Sequence, residues 1–292
     1  MTRNTLQRLL LFSLGVPLFI LVVLFASFAR DVLLVLFILV VQYFAIREMA
    51  SMFLERGIRV KGKTTAVLSL ILSGSVYLYP WINQYLGLWF STIEFFFLLC
   101  MLFSLITLAP FAFSSAPRIG ETLPEISANL FMFFYCGILG SFIIYIISCF
   151  GQLKAPVFTF ALLTFGNDSL AWLLGNILGK HRNITAVSPN KSLEGFVGGV
   201  LGSLIGSVLA FFLFPEANFG SIWRALLLGL SMSIFVIVGD LVESALKRSA
   251  GVKDSSTIVP GRGGILDSFD SLLFSSPIFV FASLIAGFFP AP

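Results

Sequence analysis

Between Ser244 and Asp270, in SALKRSAGVKDSSTIVPGRGGILDSFD, stand four cations (Lys247, Arg248, Lys253, Arg262) and three aspartates (Asp254, Asp267, Asp270). Cations at this density can neutralise a polyphosphate. A PGRGG turn lets backbone N–H groups come close to oxygens, because glycine has no side chain in the way. Asp267 and Asp270, three residues apart, fall on one face of a helix. With Asp240 they can supply oxygen ligands to Mg²⁺, which takes a few carboxylates and completes its shell with water and substrate phosphates. Upstream, GDLVESALKR places Asp240, Glu243, Ser244 and Lys247 at offsets of zero, three, four and seven, again one helical face. Asp168 in FGNDSLAWLLGN and the run Ser188, Lys191, Ser192, Glu194 complete the polar set, with Lys191 suited to hold a phosphate.

These groups sit in an oily chain. Of 292 residues 58% are hydrophobic and 11% charged, against about 25% charged in soluble domains. A bilayer core needs roughly 20 apolar residues per helix. Nine stretches qualify: Leu9–Phe28, Val32–Ala50, Thr64–Leu86, Leu88–Phe113, Ser127–Phe150, Val157–Leu178, Leu193–Phe214, Ile222–Val242 and Leu272–Phe289. Backbone polar groups in lipid must be satisfied within each segment, so the fold class is all-α, a polytopic membrane protein. The first stretch is too long for a signal-peptide core and reads as a retained helix. Asp168 lies some 11 residues into its helix, roughly 16 Å at 1.5 Å per residue, where a charge must face protein or a wet cavity. Glu94 stands alone, and an interfacial position accounts for it. Gly198, Gly202 and Gly206 recur every four residues without a GKS or GKT, which reads as close helix packing and not as a phosphate loop.

The basic residues orient the chain. With the N-terminus inside, fifteen of the 18 Lys and Arg fall in cytoplasmic loops, and only Arg30, Lys154 and Arg224 lie outside. The polar stretch from Ser244 to Asp270 then faces the cytoplasm, where nucleotides are. His181 is the sole histidine, and Cys100, Cys136 and Cys149 lie inside apolar stretches without CxxC spacing. Histidine-based triads and Cys/His zinc sites are therefore poorly supplied. Three regions follow: residues 1–86 with three helices, 87–150 with two and a candidate dimer contact, and 151–292 with four and nearly all the chemistry. No internal repeat relates the halves, which weakens an inverted-repeat transporter architecture.

Ser244-Ala-Leu-Lys247-Arg248, then Lys253-Asp254, Pro260, Gly263-Gly264, Asp267 and Asp270 resemble the signature of the phosphatidate cytidylyltransferase (CDP-diacylglycerol synthase) family. Asp168-Ser-Leu-Ala-Trp-Leu-Leu-Gly175, Ser188-Pro-Asn-Lys191-Ser-Leu-Glu194-Gly195 and Gly239-Asp240 are similar to its upstream motifs. The resemblance covers about the C-terminal half. It implies conversion of phosphatidate and CTP into CDP-diacylglycerol and pyrophosphate. It also implies Mg²⁺, with a monovalent cation such as K⁺ as a further candidate, and a homodimer in the bacterial inner membrane with membrane lipid and no nucleic acid as partner. Two positions depart from the family pattern: Arg262 stands where histidine usually precedes the paired glycines, and Ser268 where arginine usually follows the first aspartate. Arginine is no proton shuttle at neutral pH.

The implied reaction is attack by a phosphatidate oxygen on the α-phosphorus of CTP. A phosphomonoester is largely dianionic at pH 7, so no strong base is needed. On this reading Asp240, Asp267 and Asp270 hold metal, with Lys253 and Asp168 also catalytic. Lys191, Ser244, Lys247, Arg248, Arg262, Gly263 and Gly264 bind substrate. Two other classes stay open on the same charges: a CTP-dependent kinase of a lipid alcohol, which attacks the γ-phosphorus, and a transporter for an anionic solute.

Overall fold

The structure is a computed structural model describing residues 20, 23, 31–113, 119–150, 154–259, 261 and 263–289. The predicted stretch Leu9–Phe28 falls almost wholly outside these residues. Eight of the described helices are long and apolar enough to cross a membrane. They are α1 (Val32–Glu55), α2 (Gly62–Leu86), α3 (Thr92–Leu108), a split span, and then α6 (Lys154–Ile177), α7 (Leu193–Leu213), α8 (Ile222–Ala250) and α9 (Leu266–Ala286). The split span consists of α4 (Ile119–Met132), a π-helical segment Phe133–Ile138, and α5 (Leu139–Ser148). No described residue lies in a strand, and the β pairing among the described residues is limited to two isolated bridges. Leu36, Phe37, Leu102, Ile205, Leu227 and many other large apolar side chains stay exposed, as lipid-facing surface should.

The chain divides into two compact units, Met1–Cys149 with Ala250–Ser268, and Phe150–Ser249 with Phe269–Pro292. In the first, the π segment shapes the packing. A π turn releases carbonyls from the regular ladder, and the side chain of Gln42 on α1 answers two of them. Its Nε2 donates to the oxygens of Cys136 and Gly137, both at 2.9 Å. Gln42 Oε1 accepts from Ser73 Oγ on α2 at 2.9 Å, and Ser73 is 2.8 Å from Ser141 Oγ on α5. Three helices are thereby pinned by a buried polar chain, each member of which is satisfied. At Gly140 a Cβ would sit 2.8 Å from Gln42 Nε2, so only glycine leaves room for that amide. Glu94 is the N3 residue of a capping box with Ser91 at the start of α3, in keeping with the interfacial position expected of it.

In the second unit α6 and α7 approach to backbone contact. A Cβ at Gly202 would land on the carbonyl of Gly166, and one at Gly198 or Gly206 would lie 2.6 Å from the carbonyl oxygens of Leu170 and Leu162. The four-residue glycine spacing is thus helix packing, as expected. Asn167 locks the pair to α8: its Nδ2 donates to Ser203 Oγ at 3.0 Å and to Ser233 O at 3.5 Å. The neighbouring Asp168 lies half-buried.

Candidate functional site

In the second unit, Lys191 is delivered by a hairpin between α6 and α7. Arg182 bridges Ser192 in antiparallel fashion, and its guanidinium donates to Asn190 O at 3.0 Å and Gly175 O at 3.2 Å. Glu194, in the first turn of α7, accepts from the backbone N–H of His181 at 3.3 Å and lies 2.7 Å from its Nδ1. Ser192 caps α7 by accepting from Gly195 N at 3.2 Å. Both ends of the hairpin are therefore tied to helix termini, which gives Lys191 a defined place. Its Nζ lies 2.5 Å from Asp240 Oδ2 on α8.

Asp240 does not meet Lys191 alone. Gly239, one residue earlier, lets α8 approach α9 so closely that a Cβ there would be 3.2 Å from Asp270 O. Asp270 is only 7% exposed. Its Oδ1 accepts from Ser271 N at 2.6 Å, and the charges of Asp240, Asp168 and Lys191 all act on it. Carboxylates from α6, α8 and α9 thus share one electrostatic neighbourhood with an ammonium from the hairpin, and negative charge is in excess there. Along α8, Glu243 is 1% exposed and pairs with Lys247, Nζ to Oε2 at 2.8 Å. This i,i+4 pair is the alternative to a catalytic role for Glu243. It also occupies Lys247, which the sequence reading assigned to substrate. Ser244 is half-buried and Arg248 exposed on the same helix.

The first unit contains the glycine loop. Lys253 and Asp254 are exposed at its beginning; Arg262 and Pro260 lie outside the described residues. Val259 and Gly263 exchange two backbone hydrogen bonds, at 2.7 and 3.0 Å. Gly263 adopts φ 106°, a region closed to most residues with a Cβ. Asp267 Oδ2 accepts from Gly264 N at 2.6 Å, Ser255 N at 2.9 Å and Ser255 Oγ at 3.1 Å. This corrects the expectation that the paired glycines turn their N–H groups out to anions. Gly263 N is spent on Val259 and Gly264 N on Asp267, because the first turn of α9 and the returning loop have donors that must be answered. Asp267 likewise serves as a loop clasp through this oxygen. Among the described residues, no group of three or more His, Cys, Asp or Glu side chains is arranged to hold a metal ion.

The clasp has a second member that sequence reasoning missed. Glu48, on α1 and 4% exposed, reaches the same loop. Its Oε1 accepts from Ser256 Oγ at 2.6 Å and Ile265 N at 2.9 Å, and its Oε2 from Ser255 Oγ and Leu266 N, both at 2.8 Å. The signal available was an acid in IREMASM, inside an apolar helix; no spacing rule links it to residues more than 200 positions later.

Residues 6–286 match the cytidylyltransferase family. The chain belongs to this family. It is 34% identical over 250 residues to the phosphatidate cytidylyltransferase of Staphylococcus haemolyticus (strain JCSC1435), covering 84% of this chain and 87% of that protein. It is 33% identical over the same length to the enzyme of that name from Staphylococcus aureus (strain COL). Against the one from Staphylococcus epidermidis (strain ATCC 35984 / DSM 28319 / BCRC 17069 / CCUG 31568 / BM 3577 / RP62A), identity reaches 45% over 127 residues, 43% of this chain and 47% of that protein. Within this cytidylyltransferase, the match spans both units, so Glu48 and the glycine loop fall inside the family region together with the carboxylates of α6, α8 and α9.

Proposed function

We propose that this cytidylyltransferase is a phosphatidate cytidylyltransferase of the bacterial inner membrane, transferring CMP from CTP to phosphatidate to give CDP-diacylglycerol and pyrophosphate. The observation that carries the reading is the cluster of Asp168, Asp240, Asp270 and Lys191 in one electrostatic neighbourhood of a membrane-spanning unit. Carboxylates and cations at a membrane face suit a polyphosphate on one side and a charged lipid head group on the other. The bias of basic residues toward one set of loops supports a cytoplasmic catalytic side.

Divalent metal fits this cluster. Buried Asp270 beside two further carboxylates, with Lys191 as countercharge, leaves a negative field that a cation would relieve. Asp240 and Asp270 are the residues to hold Mg²⁺, with substrate phosphates and water completing its shell. When bound, it neutralises charge on the phosphates undergoing transfer. A monovalent cation such as K⁺ would suit Asp168. The protein's own groups supply the rest. Lys191, held by the hairpin, draws phosphate oxygens toward the carboxylates. Arg248, exposed on α8, binds the triphosphate. The phosphatidate monoester is already largely dianionic, so its oxygen attacks the α-phosphorus without a protein base and pyrophosphate departs. Positioning and charge stabilisation carry such a transfer. The working unit is proposed to be a homodimer.

Product analysis tests the reading. Purified protein with phosphatidate, CTP and Mg²⁺ should yield CDP-diacylglycerol and pyrophosphate in equal amounts. CDP together with a phosphorylated lipid alcohol would identify a kinase instead, and CTP left intact while an anion crosses the membrane would identify a transporter.

A further inference from the structure

Lys191 is held in place through the main chain on both sides of it. Its ammonium meets Asp240 Oδ2 and lies 6.0 Å from the centre of the Phe196 ring. A flexible four-carbon side chain stays at such a spot only if its own backbone is fixed, and the residues flanking it, Asn190 and Ser192, are both fixed by Arg182. Ser192 is the bridge partner of Arg182. Asn190 O accepts from Arg182 Nη1 at 3.0 Å. The other arm of the same guanidinium, Nη2, donates to Gly175 O at 3.2 Å, in the last turn of α6, where carbonyls have no partner within the helix. The helix dipole favours a cation there as well. The chain can cross at this point because residue 179 is glycine: a Cβ would fall on Gly175 O and lie 2.8 Å from Ser192 Oγ. Every residue of this arrangement, from Gly175 on α6 to Asp240 on α8, lies in the second unit.

We infer that Arg182 is a positioning residue for Lys191: its guanidinium, forked between the end of α6 and the peptide before Lys191, sets the ammonium beside Asp240. This rests on the cytidylyltransferase reading above, in which Lys191 draws phosphate oxygens toward the carboxylates. A planar fork is what the place requires. Its donors leave in fixed directions toward two carbonyls, and an ammonium on a flexible stem carries the same charge without that geometry. Charge at residue 182 is therefore not enough. Arg182 is exposed, on a hairpin outside the membrane spans, so its replacement leaves the packing of α6 on α7 in place.

The test uses the full chain in detergent. Initial rates of CMP transfer are measured for wild type, Arg182→Ala, Arg182→Lys, Lys191→Ala and the double variant Arg182→Ala with Lys191→Ala. Arg182→Ala should lower kcat/KM for CTP roughly tenfold, the scale of hydrogen bonds lost from a charged group, and Arg182→Lys should lose nearly as much. With Lys191 already replaced, removing Arg182 should lower the rate by less than about twofold more, since both changes act through one ammonium. A second readout needs no turnover. Amine labelling of Lys191 without substrates, followed by peptide mass spectrometry, should quicken at least about threefold in Arg182→Ala, because an ammonium that leaves Asp240 is open to reagent. Arg182→Lys within about twofold of wild type, a further loss of roughly tenfold in the Lys191→Ala background, or unchanged labelling of Lys191 overturns the inference. Where Lys191→Ala is too slow for the double variant to be read, Arg182→Lys and the labelling decide. Should Arg182→Ala not fold, the labelling is read in Arg182→Lys. Wild-type protein that forms no CDP-lipid overturns the functional reading instead, and the labelling result then stands on its own.

Discussion

Asp270→Asn separates the stability of the carboxylate cluster from its use. Asp270 is 7% exposed, and the carboxylates of Asp240 and Asp168 act on it along with Lys191. Like charges in a protein environment repel by on the order of 1 kcal/mol or more per pair at an effective dielectric near 20. Two such pairs are relieved by the neutral amide, while one attraction to Lys191 is lost. Asparagine keeps an Oδ1 for the Ser271 N–H that Asp270 accepts at 2.6 Å. The net effect on folding should lie between zero and about 2 kcal/mol of stabilisation. Catalysis should move the other way. If Asp270 holds the divalent cation, its loss should lower kcat/KM by roughly 10²–10³, equivalent to about 3–4 kcal/mol of transition-state stabilisation. The pair of measurements is thermal unfolding in detergent without added metal and CMP transfer from labelled CTP. A melting temperature that falls by several degrees while activity persists would mean that Asp270 is a structural hydrogen-bonding group, and the electrostatic account of the cluster would fail.

Asp240→Asn should abolish CMP transfer by about 10² or more while membrane levels of the protein stay unchanged; most of the activity surviving would remove Asp240 from the site. Lys253→Ala should raise the KM for CTP roughly tenfold with little effect on melting, since the side chain is exposed; an unchanged KM would place its contact elsewhere. Gly202→Leu should destabilise the second unit by about 3 kcal/mol or more, because its Cβ would overlap the Gly166 carbonyl. A melting curve like that of wild type would show that α6 and α7 can separate at no cost.

The spans were legible because lipid imposes one rule on every segment. Predicted and observed helices agree closely for Thr64–Leu86 against Gly62–Leu86 and for Leu193–Phe214 against Leu193–Leu213. Agreement weakens where polarity misleads. The apolar stretch Leu272–Phe289 starts later than α9, which begins at Leu266 and carries Asp267 and Asp270 near its start, as their three-residue spacing suggested; Glu48 and Asp267 answer the loop and helix donors there. The fifth predicted span began at Ser127, whereas α4 starts at Ile119 and carries Pro124 inside. Hydropathy also gives no hint of the π segment at Phe133, two of whose carbonyls are answered by Gln42 on another helix.

The site divides along the same line. Asp168, Asp240 and Asp270 could be picked out one by one, because a carboxylate in an apolar segment is costly wherever its helix goes. Their common neighbourhood needed the Gly239 approach of α8 to α9 and the hairpin that carries Lys191. The partners of a charge are a different matter. Glu243 and Asp240 differ by three positions and look alike in GDLVES, but one is sealed against Lys247 and the other faces Lys191. Gly263 and Gly264 suggest an anion cradle in any sequence, yet here their N–H groups turn inward, toward Val259 and Asp267. A glycine pair shows that backbone must pass through a tight place. Whether the oxygen waiting there belongs to a phosphate or to the protein depends on residues such as Glu48, which no local pattern contains.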